Sequence, residues 1–246
     1  MAAILKVLSY NIFDGGKKRL PEIADVIRRH DPDVVALIEA NSRSKVAALA
    51  RGLGMDLVFG KANSKHHVAW LSRLPIQRSK NHRLPILSKT LLEIEVIWRD
   101  APLRLFATHL AGGADSVHPA DEIPAALDIL RPVGGQPHLI VGDFNSLRPC
   151  DPVGIPPNED EEMSAGVDAD PRQTIRLILE AGYLDCYRAS NPDDPGYTYS
   201  TNSPWLRLDY IFASPELTTS LHSCDTDTCG GVVRASDHFP VWAEFH

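Results

Sequence analysis

A short apolar run in the middle of the chain ends abruptly in Asp143 and, two residues later, Asn145. In extended backbone, residues i and i+2 point to the same side, so these two polar groups would face one cavity while Phe144 packs away from it. A carboxylate beside a carboxamide suits a phosphate group or a metal ion. A plain turn is the alternative reading, because Gly, Asp and Asn are all common in turns.

Polar residues recur in the same way at other strand-like segments of the chain. A single case could be a satisfied buried group, but so many strand ends are hard to explain as packing. If these ends meet at one rim, they supply metal ligands, an imidazole base and donors for a phosphate. The further residues of this kind are Asn11, Glu39, His109, Asp209, Asp237 and His238.

Apolar periodicity predicts the elements that would position these side chains. Strands are predicted at 4–10, 33–39, 56–59, 68–71, 91–98, 103–110, 138–142, 207–212 and 240–245, with a hairpin connection at 99–102. Helices are predicted at 20–27, 46–53 and 124–130, and from Asp170 as N-cap through Pro171 and a capping box closed by Gln173. The mixed order indicates mixed sheets with helices on their outer faces, as an α/β sandwich in one domain spanning residues 1–246.

Seven motifs, which occur in a fixed order over nearly the whole chain, resemble the endonuclease/exonuclease/phosphatase superfamily, also called the DNase I-like fold. They are Ser9-Tyr10-Asn11, Ile38-Glu39, Leu71-Ser72-Arg73-Leu74-Pro75-Ile76, Thr108-His109-Leu110, Gly142-Asp143-Phe144-Asn145, Arg207-Leu208-Asp209-Tyr210-Ile211 and Ser236-Asp237-His238-Phe239-Pro240. The resemblance implies a four-layered sandwich of two mixed β-sheets flanked by helices. It also implies a metal-dependent hydrolase of phosphoric esters.

The resemblance further implies a role for each residue. Glu39 would be the main metal ligand, with Asn11 and Asp237 completing the site, and hard oxygen donors favour Mg²⁺ or Mn²⁺. His238 would act as general base with its imidazole oriented by Asp209, while Asp143 would help to align the attacking water. Donors to the non-bridging phosphate oxygens would be Asn11, Asn145 and His109.

The substrate is less well defined by the sequence. Members that cut abasic DNA commonly carry an acid where this chain has Phe13, and Tyr where it has His109. The chain therefore looks closer to the His-bearing branches, namely DNase-like nucleases, sphingomyelinases, phosphoinositide phosphatases and deadenylases. We expect a phosphodiesterase of nuclease type, with a small phosphorylated metabolite or lipid headgroup as the alternative. A non-catalytic binding module is a third possibility, against which the intact polar set argues.

The charge is unevenly distributed along the chain. The net charge is −7, yet the segment 57–92 contains seven Lys and Arg residues and no acid. Such a segment can attract an anionic substrate, although its charges could also be spread over a solvated face. The segment 151–170 is acidic and would repel a long polyanion lying over the nearby Asp143 strand.

Cysteine content and the length of the apolar runs indicate where in the cell we expect the protein. Cys150, Cys186, Cys224 and Cys229 are too few and too scattered for a disulfide scaffold, and we expect ordinary small residues. The start of the chain lacks the pattern of a secretory signal, and no apolar run approaches the roughly 20 residues that span a bilayer. A cytoplasmic protein without a membrane span is the expectation.

Overall fold

Two six-stranded sheets form the centre of the protein. The computed structural model describes residues 4–112, 115, 117–158 and 171–246. The strands are β1 Leu5–Asn11, β2 Val34–Ile38, β3 Asp56–Gly60, β4 Val68–Ser72, β5 Ile76–His82, β6 Leu91–Trp98, β7 Ala101–His109, β8 His138–Asp143, β9 Leu184–Asp185, β10 Asp209–Ala213, β11 Leu221–Thr226 and β12 Val241–Phe245. The helices are α1 Leu20–His30, α2 Arg43–Leu53, α3 Pro119–Leu130, α4 Gln173–Glu180 and α5 Cys186–Ser190.

Both sheets are mixed. The first has the strand order β11-β12-β1-β2-β4-β3, and the second has the order β5-β6-β7-β8-β10-β9. β1 and β2 run parallel in the first sheet, as do β7 and β8 in the second, while the other pairs are antiparallel. The carboxyl ends of β1 and β2, and of β7 and β8, are therefore brought together in pairs.

Three apolar layers hold the four structural layers together. The inward faces of the two sheets share one core, which includes Trp70, Leu105 and Ile211. The outer face of the first sheet packs against α1 and α2, and that of the second sheet packs against α3 and α4. The predicted fold class, two mixed sheets flanked by helices, is confirmed.

Some element boundaries differ from the predictions. α3 begins at Pro119 rather than at 124, because His118 accepts a hydrogen bond from the backbone N–H of Ala120. α4 begins at Gln173, two residues later than predicted, and the proposed N-cap Asp170 lies outside the described residues. The strand with Asp209 begins at that residue rather than at 207. None of the described helices has the length and apolar character needed to cross a bilayer.

Gly142 faces Thr108 of β7 where β8 leads into the polar strand ends. A Cβ on Gly142 would lie 1.9 Å from the carbonyl oxygen of Thr108, and Gly142 has a φ of +140°. Only glycine fits such a position. The resulting register places His109 directly opposite Asp143 on one side, and β10 places Asp209 opposite Asp143 on the other.

Candidate active site

The polar residues predicted at strand ends come together where the two sheets meet. Asn11 ends β1 and Glu39 directly follows β2 in the first sheet. His109, Asp143 and Asp209 lie on three neighbouring strands of the second sheet. Two hydrogen bonds join the two sides of this junction: Asn11, at the end of β1, donates to Asp143, and His238, which precedes β12, is bonded to Asp209.

His238 and two carboxylates form the centre of this cluster. The Nδ1 atom of His238 lies 2.8 Å from Oδ2 of Asp209, and its Nε2 atom lies 3.9 Å from Oδ2 of Asp143. All three side chains are buried. A hydrogen bond from Nδ1 to Asp209 leaves Nε2 facing Asp143, and one water oxygen can bond to both Nε2 and Asp143 across a gap of this size.

Burial and mutual interaction shift the pKa values of this group. Burial raises the pKa of Asp143 above its ordinary value, and the nearby Asp209 carboxylate adds to the rise. Burial opposes a charge on His238, but the Asp209 and Asp143 carboxylates outweigh it and raise the pKa of the imidazole. Because both pKa values are raised, the pair shares a proton at neutral pH, and its second position is free to accept a proton from water.

Asn11 and Asn145 are held by short bonds on either side of Asp143. The Nδ2 of Asn11 donates to Oδ2 of Asp143 at 3.0 Å, and the backbone N–H of Asn145 donates to Oδ1 of Asp143 at 2.9 Å. Asn145 has a φ of +47°, so the strand has already ended and the simple alternation predicted from the sequence does not extend to it. Its Nδ2 instead donates to the carbonyl of Leu110 at 3.0 Å. Phe144 packs away from the site, as predicted.

Glu39 is held as an ionised carboxylate. Its Oε2 accepts a hydrogen bond of 2.6 Å from the backbone N–H of Asp14, and Nδ1 of His66 lies 3.4 Å away. Burial alone would raise the pKa of Glu39, but His66 and the N–H of Asp14 outweigh that effect and lower it to about 2. A carboxylate that stays charged at neutral pH is a suitable ligand for a hard dication.

Asp237 belongs to the same neighbourhood. Burial raises the pKa of Asp237, His238 opposes the rise and the carboxylate of Glu39 adds to it, so the two acids influence each other. Among the described residues, the amide oxygen of Asn11 accepts only from the N–H of Phe13, at 3.0 Å. The donor set of Glu39, Asp237 and Asn11 consists of oxygen atoms and fits Mg²⁺ or Mn²⁺.

A tighter group also has the composition of a metal site. One ligand atom each from Asp143, Asp209 and His238 lies within 4.8 Å of the others. The hydrogen bond between His238 and Asp209 already accounts for part of this closeness. Glu39, with its second carboxylate oxygen not engaged by Asp14, fits the ligand role better.

His109 offers a neutral imidazole to the site. Its Nε2 lies 3.8 Å from Oδ2 of Asp143. Burial lowers the pKa of His109 well below its ordinary value, and the charge of Lys89 lowers it further. Its Nδ1 has no hydrogen-bond partner among the residues that the structure describes. Nε2, which faces Asp143, is the ring nitrogen suited to a bond with a substrate oxygen.

Two aromatic side chains of the site were not predicted as site residues. His66 lies against Glu39 and edge-on to His109, with ring centroids 5.8 Å apart. Tyr199 covers His238, with ring centroids 5.0 Å apart. Both come from loops and not from strand ends, so the pattern used in the sequence could not single them out. His66 stood out only as part of the acid-free segment.

The cations of the acid-free segment 57–92 fall into two groups, those with an acidic partner and those without one among the described residues. Three of its cations pair with acids, Arg73 with Asp31, Arg78 with Glu95, and Lys89 with Asp115. For Lys61, Lys65, Lys80 and Arg83 no ion pair is found within the described part of the chain. Of the acidic segment 151–170, residues 159–170 lie outside the described residues.

Three of these unpaired cations lie on or next to the loop that carries His66 and His67. Nε of Arg83 donates to Asn63, and the charges of Lys61 and Arg83 lower the pKa of His67 after the larger effect of burial. Lys65 precedes His66, the residue that contacts Glu39. We call Lys61, Lys65 and Arg83, all exposed, the basic rim.

A four-layered sandwich that gathers these polar residues where its sheets meet defines a hydrolase of phosphoric esters. The chain belongs to the Endonuclease/Exonuclease/phosphatase family, whose model matches residues 8–238. No curated protein is similar enough in sequence to be recognised as a relative. The family resemblance read from the motifs is confirmed.

Solved structures share the fold over almost the whole chain. An AP endonuclease from Archaeoglobus fulgidus is 20% identical, with 98% of this chain and 99% of that chain covered and a TM-score of 0.80. A 3′ phosphatase from Neisseria, bound to a product DNA hairpin, is 23% identical, with 98% and 99% covered and a TM-score of 0.79. A humanized TDP2 from D. rerio is 17% identical, with 99% of both chains covered and a TM-score of 0.69. At these identities the similarity establishes the fold.

Proposed function

We propose that the chain is a divalent-metal-dependent phosphodiesterase of nuclease type that uses in-line attack of water. The observation that carries this proposal is the gap of 3.9 Å between Nε2 of His238 and Oδ2 of Asp143. One water can bond to both atoms and pass its proton to this pair as it attacks phosphorus. Asp209 keeps the imidazole of His238 oriented throughout.

The remaining polar groups have roles at the phosphate. The second hydrogen on Nδ2 of Asn145 and the ring of His109 would donate to its non-bridging oxygens, where negative charge develops. Asn11 holds Asp143 in place and, with Glu39 and Asp237, would hold the metal. When bound, a Mg²⁺ or Mn²⁺ ion would neutralise charge on the phosphoryl group or the leaving oxygen.

The basic rim supports a polyanionic substrate. Its three cations have no acidic partner among the described residues and border the loop that contacts Glu39, so a chain of phosphates leading to the site would meet them. The 3′ phosphatase with the same fold carries a DNA hairpin product. A net charge of −7 keeps a small phosphoester as the alternative substrate.

Turnover of bis-p-nitrophenyl phosphate tests the reaction class. We expect hydrolysis with Mg²⁺ or Mn²⁺ that EDTA abolishes, and a loss of about 10²-fold or more for His238→Ala. Thr218→Ala serves as the control and should retain activity. Thr218 lies in the turn that follows β10, at the end of that strand opposite Asp209. Absence of turnover on this ester and on plasmid DNA, RNA and small phosphoesters would refute an enzymatic role.

A charge reversal of the basic rim tests the substrate class. Lys61→Glu combined with Arg83→Glu should weaken the hydrolysis of an oligonucleotide and reduce its salt dependence, while sparing bis-p-nitrophenyl phosphate. The matched control reverses Arg28 and Arg51, which are exposed on the helices that cover the first sheet. Equal losses on both substrates, or equal losses in the control, would exclude the rim as a binding surface.

A further inference from the structure

A second group of metal-binding side chains lies away from the catalytic cluster. His222 on β11, Glu244 on β12 and His246 each offer one ligand atom, and these atoms lie within 4.8 Å of one another. The two imidazole rings are stacked, with centroids 4.0 Å apart and planes inclined by 10°. We propose that these three residues form a separate site for a borderline transition-metal dication such as Zn²⁺.

β12 presents two of the ligands on one face. Val241, Ala243 and Phe245 point into the core, so the residues between and after them point outward. His246 still belongs to the sheet, because its N–H donates to the carbonyl of Ser220 at 2.7 Å. Glu244 and His246 therefore share the outer face of the first sheet, two residues apart.

A β-bulge brings the third ligand to the same place. Leu221 pairs with Phe245 and Ser223 pairs with Glu244, so His222 is an extra residue between two regular pairs. A bulge redirects a side chain that strict alternation would point elsewhere. Here it brings the ring of His222 against that of His246.

The donor chemistry selects the class of ion. Two imidazole nitrogens and a carboxylate suit Zn²⁺, Cu²⁺ or Ni²⁺ and disfavour Mg²⁺, which prefers oxygen ligands. Zinc–nitrogen bonds of about 2.0–2.1 Å at tetrahedral angles put the ligand atoms about 3.4 Å apart, so atoms up to 4.8 Å apart must close by about 1.4 Å. The stacked rings must also turn so that both nitrogens point at one ion, and partly exposed side chains can make both movements. Lys6 binds Oε1 of Glu244 at 3.1 Å and leaves the other carboxylate oxygen for the ion.

This site cannot take part in phosphate hydrolysis. Glu244 pairs with Lys6 on β1, and Asn11 lies five residues further along that strand, which corresponds to about 17 Å. An ion bound there would instead join the edge strand β11 to β12 at the end of the sheet opposite Asn11, since Leu5 at the start of β1 pairs with Phe245. Binding to the folded state alone should stabilise the fold.

Zinc titration in excess Mg²⁺ tests the proposal on the full chain. We expect wild-type protein to bind Zn²⁺ and to melt at a higher temperature with it, and Glu39→Gln protein to do the same. His222→Ala and His246→Ala should each weaken this binding by about 10-fold or more and remove the shift in melting temperature. Asp225→Asn, which removes a charge from the same edge strand, is the matched control and should bind normally.

Two further readouts identify the ligands. Bound Co²⁺ should give the strong visible absorption of a four-coordinate site with nitrogen ligands, and His222→Ala should abolish it. Lys6→Gln should tighten binding, because it removes a cation that competes for Glu244. Zinc binding that is unchanged in both histidine variants, or that disappears in Glu39→Gln, would overturn the proposal. Hydrolysis by His222→Ala with Mg²⁺ should stay at the wild-type rate, so the catalytic proposal is tested separately.

Discussion

Gly112 limits the space available to the side chain of Asn145, and the substitution Gly112→Ala tests the role of that side chain. A Cβ at position 112 would lie 2.5 Å from Cγ, 2.6 Å from Nδ2 and 2.8 Å from Oδ1 of Asn145. Ordinary contacts begin near 3.4 Å, so the amide must move by about 1 Å. That movement breaks its bond to the carbonyl of Leu110.

The expected effect is selective for catalysis. A displacement of about 1 Å in a positioning group can reduce the rate by about 10²-fold, which corresponds to roughly 2.7 kcal/mol. Stability should change little, because the loss of one hydrogen bond, about 1 kcal/mol, is offset by the lower entropy of the unfolded chain that alanine gives. Gly112 has no positive φ, so alanine introduces no backbone strain there.

The assay is kcat/KM on bis-p-nitrophenyl phosphate together with thermal melting. Gly52→Ala in α2, where nothing lies within 4 Å of the added Cβ, is the matched control and should keep full activity. If Gly112 acts through Asn145, then Gly112→Ala combined with Asn145→Ala should be no worse than Asn145→Ala alone. Wild-type kcat/KM in Gly112→Ala, or additive losses in the double variant, would refute the reasoning.

Two predictions concern stability. Asp227 accepts hydrogen bonds from Arg29 and His30, which outweigh burial and hold its pKa below the ordinary value. Asp227→Asn should therefore lower the free energy of unfolding by about 1 kcal/mol at neutral pH. The difference from wild type should shrink as the pH falls below about 4, because the unfolded wild-type chain then binds a proton at Asp227 that the folded state still resists. A difference independent of pH in urea titrations would contradict this. Arg207 is buried between the carboxylates of Asp151 and Asp185. Arg207→Met should lower the free energy of unfolding by about 3 kcal/mol, because both acids lose a partner. If the free energy of unfolding falls by less than about 1 kcal/mol in the same assay, Arg148 and Arg188 are sufficient to compensate the two carboxylates.

The predicted elements that the structure confirms are those whose pattern reflects burial. β2 is a continuous apolar run and is buried along its whole length. α1 places Ile23 and Ile27 on one face against the first sheet. Burial in these elements is decided by the local sequence, so the period of the pattern is sufficient to find them.

β5 shows why other elements were missed. Its sequence, Ile-Gln-Arg-Ser-Lys-Asn-His, is mostly polar, and five of its residues are exposed in succession. It is an edge strand, held by pairing with β6 and not by its own apolar face. Charged edges protect a sheet from unwanted pairing, which removes the alternation that would reveal the strand.

In the candidate site, too, some residues could be predicted from local sequence patterns and others could not. Strand ends pointed to Asp143, His109 and Asp209, because strand register carries such residues to a common edge. His66 and Tyr199 reach the site only because long-range contacts fold their loops over it. One such contact is the hydrogen bond from Ala40 N–H to the carbonyl of His67, which fixes the loop beside Glu39. Contacts of this kind leave no local pattern in the sequence.

Two hydrogen bonds of the candidate site join groups from the two halves of the sandwich, so the activity should depend on how the sheets pack against each other. Asn11 ends β1 of the first sheet and His238 precedes β12 of the same sheet, while Asp143 and Asp209 belong to the second sheet. A slight slip of one sheet over the other would separate these pairs while leaving every strand intact. Substitutions in the shared core should therefore impair turnover at temperatures below those at which the fold is lost, and activity would report such slippage before circular dichroism does.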